Sequence, residues 1–208
     1  MNPVIIAVLV LIFLVINFGR KTFTKSISSK LTDYLYNGDF DNFEKLINKW
    51  YTKYLIHPFN IDFLKLNEAL MKQDSKEIDK CFETFEKTTI SDNQKAAIYQ
   101  KAFYYYLQEE NNTKLKKYHK LIKGLEDKTL FNSIDDTYRV IVEKDETLLE
   151  KYEKKFAENN KDSMCAYILY NIYKNKGNKK KTSEYEEIFN ELVSKGEYLN
   201  YEQTSEQQ

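Results

Sequence analysis

The chain has 208 residues, in which 32 Lys and Arg balance 32 Asp and Glu, with only two His and two Cys. That balance gives no electrostatic case for a nucleic-acid binder. Cys81 and Cys165 sit on apolar helical patterns and read as buried, reduced thiols rather than a disulfide framework. Five Gly and two Pro against abundant Lys, Asn, Glu, Ile and Tyr favour helices separated by short polar turns, and the Asn and Lys usage is that of an AT-rich bacterial genome.

Residues 3–16 carry no polar side chain, and Arg20 and Lys21 end the apolar stretch. A stretch this apolar needs an apolar medium, since each buried methylene is worth about 0.8 kcal/mol. The expectation is an uncleaved transmembrane signal anchor over 1–19, with residues 3–18 in the lipid bilayer. This length is at the lower end of the roughly 17–25 residues that a spanning helix needs. A cleaved signal peptide fits less well. No basic segment precedes the run, no A-x-A site follows it, and the first cysteine is Cys81. Arg20, Lys21, Lys25 and Lys30 follow the run before the first acid, Asp33. The positive-inside rule then puts the N-terminus outside and the body in the cytoplasm, as a single-pass cell-membrane protein. Residues 20–30 form a basic juxtamembrane segment merging into the first helix, 31–196 a helical repeat domain, and 197–208 a frayed tail.

Five polar turns recur along the body at Asn37-Gly38-Asp39, Gln73-Asp74-Ser75, Glu110-Asn111-Asn112, Glu143-Lys144-Asp145 and Lys176-Gly177-Asn178. With Gly38, Gln73, Glu110, Glu143 and Gly177 as equivalents, the period is roughly 33–37 residues. The helices before the turns are predicted at 24–36, 61–72, 93–108, 130–143 and 163–174. After the turns, offsets of three and four put apolar residues on one face: Phe43, Ile47 and Trp50; Ile78, Phe82 and Phe85; Leu115, His119 and Ile122; Leu148, Tyr152 and Phe156; Tyr185, Ile188 and Phe189. Gly124 and Gly196 are placed for left-handed caps, Ser91-Asp92 and Asp162-Ser163 for helix starts, and His57-Pro58 separates the first pair from the second. One such hairpin cannot hide both apolar faces, so the five should stack in series.

The segment Y-I-L-Y-N-I-Y-K-N-K-G-N-K-K-K-T-S-E-Y-E-E-I-F over 167–189, with N-G-D-F-D-N-F-E-K-L-I-N-K-W over 37–50, resembles the tetratricopeptide repeat (TPR) superfamily. The resemblance covers about residues 24–196. It implies an all-α fold, a TPR-like α-α superhelix of about five helical hairpins preceded by a single transmembrane helix. Larger residues stand where the family is small: Leu31, Leu66, Phe103, Asp136 and Tyr170 on the first helices, and Phe43, Ile78, Leu115, Leu148 and Thr182 on the second. Asp136 fits worst and leaves the fourth register open, with an irregular array of hairpins as the structural alternative.

Family members use their first helices to line a groove for a peptide or partner helix. Carried onto this chain, the partner-binding residues are Phe63, Asn67, Gln100, Tyr104, Thr137, Tyr167, Asn171 and Lys174. The amides of Asn67 and Asn171 both donate and accept; Tyr104 and Tyr167 offer flat anchors with a polar tip. The lysine runs at Lys114, Lys116, Lys117, Lys120 and Lys123, and at Lys174, Lys176, Lys179, Lys180 and Lys181, read as solvated faces. No HExxH, paired-cysteine, phosphate-loop or G-x-S-x-G motif is present, so no catalytic residue, metal ligand or cofactor is expected. The implied function is a membrane-anchored protein-interaction scaffold or adaptor for a membrane-associated protein partner. An obligate structural subunit of a membrane complex and an exported, non-catalytic repeat domain are the alternatives.

Overall fold

The computed structural model describes the backbone of residues 3–194 and the side chains of residues 20–194. The described residues form eleven α-helices and no strand: α1 Pro3–Tyr36, α2 Phe40–Ile47, α3 Trp50–Leu55, α4 Pro58–Lys72, α5 Ser75–Lys87, α6 Asp92–Gln108, α7 Asn112–Lys123, α8 Lys128–Ile141, α9 Leu149–Glu158, α10 Ser163–Asn175 and α11 Lys179–Ser194. The chain divides into two compact units, Met1–Ser91 and Asp92–Gln208. In the first, α1 packs against α2, α3 and α4, and α4 against α5. In the second, α6 packs on α7, α7 on α8, and α8, α9 and α11 on α10.

The turns follow one backbone rule. Gly38, Gln73, Glu110, Lys144 and Gly177 all have left-handed φ between 50° and 69°, and each is followed by Asp or Asn. In four turns the N–H of that Asp or Asn donates to the carbonyl five residues back: Asp39 to Tyr34 at 2.8 Å, and Asp74 to Ala69, Asn111 to Tyr106 and Asn178 to Tyr173 at 3.0 Å. This closes the outgoing helix. Its side chain then starts the next helix by accepting from the N–H of Asn42, of Lys76 and Glu77, of Lys114, or of Lys181. One dipeptide thus satisfies the end of one helix and the start of the next.

The fourth turn departs from this pattern. The left-handed residue is Lys144, one beyond the expected Glu143, and Asp145 N–H donates to the Arg139 carbonyl six residues back. Its carboxylate is held by Arg139 and by the Thr147 N–H and hydroxyl. Asp145 therefore does not cap α9, which starts at Leu149 with no side-chain cap. The Thr147 hydrogen bonds, then Arg139, hold the Asp145 carboxyl below its ordinary range. Where a hairpin of this kind would bury a small residue, Asp136 on α8 is 8% exposed and accepts from the Tyr152 hydroxyl at 2.9 Å, with the Lys151 ammonium on the same oxygen. A polar cluster bridges α8 and α9.

Two further expectations change. Trp50 leaves the Phe43–Ile47 stripe and is 77% exposed. The reason is local: α2 ends at Ile47, with Asn48 as its cap, and Lys49 is extended, so α3 starts in a new phase. Thr52 takes the inward place, donating to the Leu46 carbonyl at 2.8 Å. Gly124 is right-handed, with φ −78°, and makes no left-handed cap; Gly196 and the tail at 197–208 lie outside the described residues.

The membrane anchor is also corrected. Among the described residues no helix is long and apolar enough to cross a membrane. The backbone of 3–18 runs without a break into the polar half of α1, where Ile27, Leu31 and Leu35 turn inward to a core with Phe43, Ile47, Ile56 and Ile61. The side chains of 1–19 lie outside the described residues. The fold is all-α, but the expected transmembrane helix, the lipid bilayer as a partner, the single-pass placement with a cytoplasmic repeat domain, and the membrane-anchored adaptor or subunit built on it do not stand.

Three outcomes follow from this packing. At Gly38 and Gly177 an added Cβ would meet nothing within 4 Å, so Gly38→Ala or Gly177→Ala carries only the backbone penalty, about 1–2 kcal/mol in urea denaturation. Asp136→Ala strands the Tyr152 hydroxyl and lowers stability by about 1–2 kcal/mol, because Lys151, 57% exposed, adds little; combining Asp136→Leu with Tyr152→Phe recovers most of the loss. In the first unit, burial raises the Glu68 carboxyl above its ordinary value against the opposing Lys72, and Glu44 adds to the rise. A raised carboxyl stabilises below its unfolded pKa and loses that contribution as pH climbs through its folded pKa. Wild-type thermal stability should therefore fall relative to Glu68→Gln as pH is raised from 4.5 towards neutrality.

Candidate functional site

α10 is the central helix of the second unit. Asp162 caps it by accepting from the Cys165 N–H at 2.8 Å. Ser163, Met164, Cys165, Ala166, Ile168, Leu169, Ile172 and Tyr173 are all buried. Asn175 is tied to α8 through the Val140 carbonyl at 2.9 Å. What remains is a strip of Tyr167, Tyr170, Asn171 and Lys174, spaced three, four and seven residues from its start and so on one helical face.

The strip is ordered by its own contacts. Tyr167 lies 6.3 Å from the Tyr170 ring and 5.1 Å from Phe189 of α11. The Asn171 side-chain amide donates to the Tyr167 carbonyl at 2.9 Å. That amide is thereby tied to Tyr167, while its oxygen can serve a ligand. The Lys174 ammonium donates to the Tyr170 hydroxyl at 3.3 Å and lies 5.4 Å from its ring centre. That hydrogen bond holds Lys174 above its ordinary pKa, with Glu110 adding to the effect. Burial raises the Tyr167 phenol, Asn171 opposes this, and Tyr170 and Glu110 contribute to the rise. The α6–α7 turn therefore places its carboxylate within electrostatic reach of the strip.

Tyr104 of α6 meets Phe103 edge-on and packs against the same core cluster as Tyr167 and Tyr170. Gln100 lies one turn earlier on α6 and is half-buried. Among the expected partner-binding residues, Tyr104, Tyr167, Asn171 and Lys174 thus gather around the core of one unit. Thr137 does not join them: it is fully buried, with its hydroxyl turned back to the Ser133 carbonyl. Phe63 and Asn67 are half-buried on α4 of the first unit, where Phe63 stacks on Phe59 at 6.1 Å. Tyr170, Phe189 and Glu110 were missed as site residues. Tyr170 was legible as the residue three positions on from Tyr167, whereas the placement of Phe189 and Glu110 depends on the tertiary fold.

The groups with potential for reaction are occupied elsewhere. His119 Nε2 is 2.7 Å from Asp135, and its ring lies flat on Tyr138, with centres 4.0 Å apart. His57 accepts from the Phe59 N–H at the start of α4. Burial pushes the Cys81 thiol up to about 11 and the Cys165 thiol up to about 12, which keeps both protonated and weakly nucleophilic. Among the described residues no group of three or more His, Cys, Asp or Glu could hold a metal ion.

The strip therefore offers flat aromatic area, one amide and one ammonium, a set suited to holding a polypeptide by contact and hydrogen bonding. No family model, curated protein or solved structure matches the chain. The tetratricopeptide resemblance accordingly does not stand as a family assignment, and what the structure supports is an all-helical fold of short helices joined by repeated turns.

Proposed function

We propose that the chain is a non-catalytic binding protein, and that the α10 strip with Gln100 and Tyr104 of α6 receives an extended polypeptide segment. The observation that carries the reading is the burial of α10 around a single half-exposed face bearing Tyr167, Tyr170, Asn171 and Lys174. Tyrosines packed from below supply contact area with little rotamer entropy left to lose, which is the usual chemistry of interface anchors. Asn171 supplies directional bonds to a peptide backbone, and Lys174 favours a carboxylate near one end of the segment. The absence of catalytic motifs from the sequence and the structural employment of both histidines support a non-catalytic role.

Selection of displayed peptides against the full chain tests this reading. Selected peptides should lose affinity about tenfold or more on Tyr167→Ala or Asn171→Ala, in the range of interface anchors, while circular dichroism shows the fold intact. A smaller loss is expected for the exposed Lys174→Ala. A selection that yields no peptide, or peptides that bind these variants as tightly as wild type, removes the assignment.

A further inference from the structure

The first unit exposes an aromatic and basic patch that the reading above leaves unused. Phe23 is 51%, Trp50 77% and Tyr54 68% exposed. Phe23 and Trp50 are contiguous through Tyr51, whose ring lies 5.9 Å from both. The Arg20 guanidinium sits 5.2 Å from the Tyr54 ring centre. Lys49 and Lys53, at the start and within α3, are exposed. Neither α3 nor residues 20–32 contain an acidic residue, although the chain as a whole is neutral. Three large exposed rings are costly to leave in water, and the charges that α3 and residues 20–32 themselves contribute are all positive.

We propose that this patch docks an acidic, amphipathic helix of a protein partner. The patch residues lie in two helical ridges, Arg20 and Phe23 on α1 and Trp50 and Tyr54 on α3, and ridges of this spacing pack against the side chains of another helix. The cations beside the rings fit carboxylates on either side of that helix's apolar stripe. A second copy of this chain would bring like charges together across a two-fold axis. A single-stranded nucleic acid would instead stack its bases on these rings, and the oligothymidylate arm of the test separates that outcome.

Trp50 is the only tryptophan in the chain, so its emission reports on the patch alone. The probes for titration into the full chain are a synthetic helix with Glu flanking a Leu stripe and the same helix with Lys in place of Glu. The acidic helix should shift Trp50 emission to shorter wavelength, saturably and less strongly as salt rises; the basic helix should leave it unchanged. The pair Lys49→Glu and Lys53→Glu should weaken binding tenfold or more with the helical signal intact. Tyr54→Ala should weaken it without altering charge. No response to the acidic helix, or an equal response to the basic one, overturns the proposal. So does an oligothymidylate or anionic vesicle that shifts Trp50 in place of the acidic helix and loses its effect with Lys49→Glu and Lys53→Glu.

Discussion

Five helix reversals turn on a left-handed residue followed by Asp or Asn, and four of them, α1–α2, α4–α5, α6–α7 and α10–α11, join helices packed against each other. A helix ends with orphan carbonyls and the next begins with orphan N–H groups. A tight turn leaves little room for separate solutions, so one backbone N–H closes the outgoing helix while one side-chain oxygen starts the incoming one. That arrangement fixes the exit direction, and the direction decides which stripes can meet. Glycine is present at only two of the five left-handed positions. Elsewhere Gln73, Glu110 and Lys144 accept the cost of the left-handed region, about 1–2 kcal/mol each, against the apolar burial that the reversal permits.

The fourth turn shows what happens when the rule loosens by one residue. Asp145 is drawn to Arg139 and Thr147 and no longer caps the following helix, which starts later. α8 and α9 are then joined through Asp136, Tyr152 and Lys151, and both pack on α10. α10 becomes the hub of its unit, enclosed everywhere except along the Tyr167–Lys174 strip.

The first unit reaches an exposed aromatic surface by another route. The break at Asn48 and Lys49 rotates α3 out of phase with α2, so Thr52 turns inward and Trp50 outward. A two-residue interruption converts what reads as a continuous core stripe into a ridge facing solvent. The two surfaces differ in chemistry. The strip on α10 combines tyrosines, an amide and one lysine, with a carboxylate nearby, whereas the patch on α1 and α3 combines rings with cations alone.

The sequence by itself determined the helical class, four of the five left-handed reversals and the ends of three of the helices before them, because these depend on neighbours a few residues apart. Polar turn triplets, Asp and Asn caps and His57-Pro58 act locally, and the first helices ending at Tyr36, Lys72 and Gln108 were legible to the residue. The α10 residues Tyr167, Asn171 and Lys174 were legible as one face for the same reason. Only the tertiary structure decided that Thr137 is buried, that Trp50 is exposed, that Phe63 and Asn67 belong to a different unit from Tyr104, and that Glu110 acts on α10. Each of these depends on which helix packs against which, and helical periodicity gives the spacing of a face without saying what covers it.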